Sequence, residues 1–314
     1  MSCSPLARLI APRSIVFIGG WEVETAIRVT RQLGFAGTIY AVNPRRETLA
    51  GIACLKSIGE LPETPDAAFV AVKRELAVEM VGELARRGVG GAVVYASGFA
   101  EHGAEGAALQ EKLIAEAGTM AVMGPNCYGF INALDQASPW PDEHGLIPCK
   151  RGVVIVTQSG NMAVNFSMMR RALPVAGIYT LGNQACVDMA SLLDLLADDN
   201  RVSAIGLHIE GLKDIQAFAT AAAKAIQARK PVVVLKTGRS EQGAKVAMSH
   251  TSSLAGADDL YNALFERYGI ARAASASGFA ETLKLLHHGG PLTGNRLVSM
   301  SSEAMSTPAW LPRV

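Results

Sequence analysis

The chain has 314 residues, with 29 basic against 28 acidic side chains and a formal net charge of +1. Apolar residues make up 49% and charged residues 18%, enough for a large core, which excludes a disordered or fibrous chain. The near-neutral balance without a basic cluster argues against nucleic acid as a partner, and no apolar run reaches the roughly 18 residues of a membrane span. A length of this kind implies about two domains.

Short β-rich apolar runs recur along the chain, separated by helix-like stretches. Strands are expected at Ser14–Ile18, Thr38–Val42, Ala67–Val72, Gly91–Tyr95 and Met120–Met123. A second series follows at Val153–Val156, Val175–Thr180, Ala204–His208 and Val232–Leu235. Near-continuous rather than alternating apolar strands mean sheets covered on both faces, as in parallel α/β folds. Between them, Glu75–Arg87 and Ile215–Ala228 place apolar residues at helical spacing, as crossover helices should. The segment Ala133–Arg151, with its prolines, charges and lack of period, breaks this rhythm and reads as a domain boundary. Two consecutive doubly wound α/β units are the economical reading. The opening MSCSPLARLIAPRS has no long apolar run and is not read as a signal peptide. Cysteines at 3, 54, 127, 149 and 186 are odd in number, with no C-x-x-C pair. That pattern reads as reduced thiols in the cytoplasm rather than a disulfide framework or a zinc site, and no metal ligands are expected.

In such sheets ligands bind beyond the carboxyl ends of the strands. After the first strand come Gly19 and Gly20, which let backbone approach a phosphate. This is not G-x-G-x-x-G, and the second strand ends in Val42-Asn43-Pro44 rather than the acid that a nicotinamide ribose wants, so a nicotinamide-dependent oxidoreductase is disfavoured. Ser97-Gly98 and Gly124-Pro125-Asn126-Cys127 follow later strands; singly they are ordinary turn residues, but together on one sheet edge they point to a nucleotide-like ligand. In the second unit, Ser159-Gly160 opens a helix and offers a hydroxyl and amides to an anion. Gly182-Asn183, Glu210 and Thr237-Gly238 end further strands. On the residues alone, Glu210 reads equally as a solvated loop carboxylate. His250, among small and hydroxylic residues, has the most site-like surroundings of the six histidines, yet on spacing it reads as a plain loop histidine.

Eight motifs in one order change that balance. They are Tyr40–Pro44 (YAVNP), Ala96–Glu101 (ASGFAE), Gly124–Cys127 (GPNC), Gln158–Gly160 (QSG), Leu181–Asn183 (LGN), Ile209–Gly211 (IEG), Lys230–Lys236 (KPVVVLK) and Ser249–Gly256 (SHTSSLAG). With them the chain resembles the NDP-forming acyl-CoA synthetases, the superfamily of succinyl-CoA synthetase and ADP-forming acetyl-CoA synthetase, in its α-subunit portion. The resemblance implies a Rossmann-like CoA-binding domain at 1–135, a linker at 136–150, a flavodoxin-like ligase domain at 151–290, and the truncated start of a further subdomain at 291–314.

It also implies an acid–CoA ligase in which an enzyme histidine carries a phosphoryl group between ATP and an acyl phosphate, and CoA displaces phosphate to give the thioester. By motif, His250 matches the phosphohistidine and Glu210 the carboxylate that orients it. Ser159 and Gly160 would cradle the phosphoryl group, with Gly182 and Asn183 on the same rim. Gly19, Gly20, Val42, Asn43, Pro44, Ser97 and Gly98 match CoA-binding positions; Asn126 and Cys127 would lie near the thiol end, with no nucleophilic role for Cys127. ATP and Mg2+ would come through an ATP-grasp domain or β-type subunit, which this sequence lacks, so the chain is expected to work in an oligomer.

Two departures matter. Gly20-Trp21-Glu22 stands where the family has an Ala-Ser pair after the first glycine, and the proline that the family has near Lys73 is missing (Ala71–Glu75, AVKRE). The altered loop and the missing half motivate a competing reading, a non-catalytic CoA-binding or sensing module of the same fold.

Overall fold

The computed structural model describes residues 4–238, 258–291 and 294. Ser4 caps the first short helix, α1 (Pro5–Ile10), by accepting from the Ala7 amide, with Pro5 at the helix start where no amide is missed. The chain then alternates: β1 (Ser14–Gly19), α2 (Trp21–Gln32), β2 (Thr38–Val42), a hairpin of β3 (Thr48–Leu49) and β4 (Ile52–Leu55), β5 (Ala67–Ala71), α3 (Arg74–Arg86), β6 (Gly91–Val94), α4 (Ala104–Ala117) and β7 (Ala121–Met123). These strands form one sheet in the order β3-β4-β2-β1-β5-β6-β7, parallel except where β3 meets β4. Counting only the six parallel strands, the order is the doubly wound 3-2-1-4-5-6, with its switch point between β1 and β5.

The second sheet takes β8 (Phe130–Asn132), β9 (Gly152–Thr157), β10 (Val175–Thr180), β11 (Val202–Ile209), β12 (Val232–Lys236) and β13 (Ala271–Ala273). Its order is β13-β12-β11-β9-β10-β8, parallel except for the antiparallel edge β8. The five parallel strands read 2-1-3-4-5, the flavodoxin-like order, and the switch point lies between β9 and β11. Helices α5 (Gly160–Ser167), α6 (Met189–Ala197) and α7 (Ile215–Gln227) cross between these strands, followed by helices Asp258–Arg267 and Ala276–Gly289. Asp188 and Asp214 cap α6 and α7 by accepting from the Ser191 and Ala217 amides.

All nine strands expected from the sequence are present, shifted by at most two residues at an end. The three small additions, the β3–β4 hairpin, β8 and β13, are two to four residues long, too short to show a period. One of them carries weight. Phe130–Asn132 stands before the boundary read at 136–150, yet it pairs with β10 of the second sheet. The segment after it is packed rather than loose: Ser138 and Trp140 are fully buried, and Thr30 of α2 donates to the Ser138 carbonyl. The largest apolar cluster runs through both sheets, from Phe17 and Phe69 to Phe130, Tyr179 and Ile205.

Candidate functional site

The switch point of the second sheet gathers the chemistry-bearing residues of β9 and β11. Ser159 caps α5 with its hydroxyl accepting from the Met162 amide at 3.3 Å. The remaining first-turn amides have no intrahelical acceptors, and the helix dipole favours an anion there. Thr157 Oγ1 accepts from the Ser159 amide at 3.0 Å and forms a 2.9 Å hydrogen bond with His208 Nδ1. Burial, reinforced by nearby Lys236, pushes the His208 pKa down to about 4, so the imidazole is neutral at pH 7. One strand over, Gln158 is almost fully buried and its Oε1 accepts from the amides of both Glu210 and Gly211, at 2.6 Å and 3.1 Å. Lys236, at the end of β12, donates to the Glu210 carbonyl at 2.9 Å and lies over the Tyr261 ring. Burial lowers its pKa. The loop carrying Glu210 is thus fixed from two neighbouring strands.

On the first sheet, a cavity of about 370 Å³ lies at the ends of β1, β2 and β5, and Gly19, Gly20, Val42, Asn43 and Pro44 line it. Asn43 is spent on the loop itself. Its Nδ2 donates to the Gly19 carbonyl at 2.7 Å, and its Oδ1 accepts from the Arg45 and Arg46 amides at 2.8 Å and 3.0 Å. That Asx-type turn fixes both walls of the cavity at once. Gly98 is similarly engaged: its amide donates to Glu101 Oε1 at 2.6 Å, and its carbonyl accepts from Arg74. It lines neither this cavity nor the larger cleft described next.

The two switch points face each other across a cleft of about 1020 Å³. Into it open Gly20, Ser97, Asn126 and Cys127 from the first sheet, and Ser159, Gly160, Gly182, Asn183 and Glu210 from the second. Backbone contact holds this arrangement. The Asn183 amide donates to the Pro125 carbonyl at 3.0 Å, and the Ala185 and Val187 amides donate to Gly124 at 2.9 Å and Val122 at 3.0 Å. Gly182, at φ +52°, sits so close that a Cβ would lie 2.3 Å from the Asn126 and Pro125 carbonyl oxygens, so only glycine fits. The Asn183 side chain donates to Gln110 Oε1 at 2.9 Å and to Glu101. Gly160 meets the ring of Tyr128: a Cβ there would stand 2.7 Å from Cδ2. Cys127 is buried with its Sγ 3.4 Å from the Met123 carbonyl, and burial pushes its thiol up to about 12.

Most residues singled out in the sequence therefore meet in two adjoining cavities, with Gly98 supporting them from outside. His250 lies outside the described residues. The sequence reading passed over Gln158, Tyr95, Tyr128 and Glu101 as site residues. Gln158 and Glu101 stand inside quoted motifs, which is the available signal; Tyr95 at a strand end and Tyr128 in the loop before β8 carry none. Trp21, the departure in the first loop, is 66% exposed and lines the cleft, as does Lys73.

Residues 13–133 match the model of a CoA binding domain, and residues 150–286 that of a succinyl-CoA ligase like flavodoxin domain. The chain is 35% identical over 288 residues to acetate–CoA ligase (ADP-forming) I of Archaeoglobus fulgidus, covering 90% of this chain and 42% of the relative. It is 31% identical over 303 residues to the α subunit of acetate–CoA ligase (ADP-forming) II of Pyrococcus furiosus, covering 93% of this chain and 64% of that subunit. In structure it resembles the apo dinucleotide-forming acetyl-coenzyme A synthetase 1 of Candidatus Korarchaeum cryptofilum, with a TM-score of 0.81 and 28% identity over 89% of this chain and 62% of that one. The chain thus spans between about two fifths and two thirds of the length of these proteins. With a CoA-binding domain, a succinyl-CoA ligase-like flavodoxin domain and both doubly wound strand orders in series, the chain belongs to the NDP-forming acyl-CoA synthetase superfamily, as its α-subunit-like portion.

Proposed function

We propose that this chain is the CoA-binding and phosphohistidine half of an acid–CoA ligase, which interconverts a carboxylic acid, CoA and ATP with acyl-CoA, ADP and phosphate. The observation that carries this reading is the facing of two switch points across one cleft, with a capped helix N-terminus and the fixed Glu210 loop opposite the first-sheet loops. CoA lies along Gly19, Gly20, Val42, Asn43, Pro44, Ser97 and Gly98, the last acting through the loop it holds, with its thiol end towards Asn126 and Cys127. In the thioester-to-phosphate direction, a phosphate oxygen attacks the thioester carbonyl; the C–O bond forms, the C–S bond breaks, and CoA thiolate leaves. A ring nitrogen of His250 then attacks phosphorus and the carboxylate departs, leaving phosphohistidine. Ser159 and Gly160 stabilise the phosphoryl oxygens with amides and a hydroxyl, Gly182 and Asn183 close the rim, and Glu210 orients His250 through its ring N–H.

Among the described residues there is no cluster of three or more metal-ligating side chains. Magnesium and ATP are assigned to an ATP-grasp domain or β-type subunit, as the α-subunit relative supports, and no step here runs through them. The working assembly is an oligomer, and its place is the cytoplasm, where free thiols such as Cys54 and Cys127 stay reduced. The unit boundaries 1–135, 136–150, 151–290 and 291–314 belong to the same reading.

The half-reaction needs no ATP, so it tests the chain alone. Incubation with acyl-CoA and radiolabelled phosphate is expected to give acid-labile, base-stable label that His250→Ala abolishes. Label surviving in that variant overturns the assignment of His250. No label while CoA binds normally favours the non-catalytic CoA module.

A further inference from the structure

Resting on that reading, we infer that the acid this chain activates is aromatic: an arene-bearing carboxylic acid whose ring lies on Tyr128 and Tyr95, in a cleft that the exposed Trp21 also lines.

The argument begins with a chain of rings. Phe17 packs on Phe69 at 6.0 Å between centroids, Phe69 on Tyr95 at 6.2 Å, Tyr95 edge-on to Tyr128 at 5.9 Å, and Tyr128 on Trp140 at 5.1 Å. Phe17, Phe69 and Trp140 are fully buried and lock the ends of this ladder. Tyr95 and Tyr128 are half-buried, and both line the cleft. Rigid rings held from behind offer apolar area at little cost in side-chain entropy, and aromatic pairs gain further from edge and offset contact.

The second observation joins that surface to the anion site. The Tyr128 ring fills the space beside Gly160, where a Cβ would meet Cδ2 at 2.7 Å. The helix N-terminus that receives an acyl phosphate is therefore contiguous with an aromatic face. A carboxyl carbon held at those amides places its substituent against Tyr128, with Tyr95 next along the wall.

The third is Trp21. An indole that is 66% exposed at the start of α2 does little for the core, yet it lines the same cleft. Ala71, Val72 and Ala96 are the principal aliphatic side chains in the wall, and all are small. An acetyl group would bury almost nothing on these surfaces. An arene would meet Tyr128 and Tyr95, whose centroids are 5.9 Å apart, in a cleft that Trp21 also lines.

The test is calorimetric titration of the purified chain with CoA, acetyl-CoA, hexanoyl-CoA and phenylacetyl-CoA. Phenylacetyl-CoA is expected to bind at least tenfold tighter than acetyl-CoA and severalfold tighter than hexanoyl-CoA. Trp21→Ala and Tyr128→Leu should each reduce the phenylacetyl-to-acetyl ratio at least threefold, whereas Tyr128→Phe keeps it. If CoA binds and the esters show no aromatic preference, the inference fails and the ligase reading stands. A preference unchanged in every variant also overturns it, since the rings named here would not be its source. If CoA and all esters fail to bind, the ligase reading itself fails, and this inference with it. Trp21→Ala, at an exposed position, keeps the test informative should Tyr128→Leu not fold.

Discussion

Gln158 Oε1 accepts from the Glu210 amide at 2.6 Å and from the Gly211 amide at 3.1 Å, tying the end of β9 to the end of β11 across the switch point of the second sheet. One side chain thereby sets the distance between the helix N-terminus that follows β9 and the carboxylate that follows β11.

Gln158→Leu leaves those two amides without their acceptor. A buried unsatisfied group costs about 1–3 kcal/mol, so urea unfolding should show a loss of about that size. Phosphohistidine formation should fall by more than the change in folded fraction explains. Gln158→Glu keeps an acceptor at the same place and should recover most of the stability; if Leu and Glu behave alike, the two amides do not depend on this oxygen.

Gly160→Ala sets a methyl against the Tyr128 ring, where the Cβ-to-Cδ2 distance would be 2.7 Å. Overpacking of this kind costs about 1–3 kcal/mol, more than the roughly 1 kcal/mol that alanine gains over glycine in a helix. The variant should therefore unfold at lower denaturant. Combining it with Tyr128→Leu should restore part of the loss, and Tyr128→Phe should not, because the ring remains. Additive double mutants would show that the ring and Gly160 do not compete for this space.

His208 makes stability pH-dependent. Its folded pKa of about 4 lies below the ordinary value near 6.5, so between those values the unfolded chain binds the extra proton. The stability it preserves at neutral pH is lost as pH falls from about 6.5 towards 4, in total about 3 kcal/mol. His208→Gln should flatten the stability curve across that window. An unchanged slope would mean that other groups supply the acid sensitivity.

Cys127, with its thiol pushed up to about 12, holds only about one part in ten thousand thiolate at pH 8. Iodoacetamide at that pH should spare it in the native chain and modify it after denaturation, as read by peptide mass spectrometry. Rapid native alkylation would contradict the buried, protonated thiol and reopen the question of a nucleophilic role.

The strands were legible because apolar runs such as Ile15–Ile18 and Val153–Val156 are buried on both faces and leave an uninterrupted hydrophobic signature. Motif order placed Ser159, Gly160, Gly182, Asn183 and Glu210 in one cleft, as the structure does. What stayed hidden depends on contacts distant along the chain. Phe130–Asn132 is a strand only because β10 offers it an edge. Tyr95, at the end of an expected strand, and Tyr128, just past the Gly124–Cys127 turn, lie 33 residues apart, and nothing local shows that their rings meet. Gln158 looked like a motif letter; its role follows from the amides of residues 52 and 53 positions later.

The amides of Asn183, Ala185 and Val187 run along the carbonyls of Pro125, Gly124 and Val122 like one more rung of a ladder. Chain leaving the first sheet is thereby clasped by a loop of the second, over a hydrophobic cluster that both sheets share. Cutting the gene near residue 135 would not release two self-sufficient modules. The first fragment would carry off Phe130–Asn132, an edge strand of the other sheet, and each piece would expose part of a common interior. The two halves of the cleft should melt together, in one transition, and a loss of packing on either side should be felt on both.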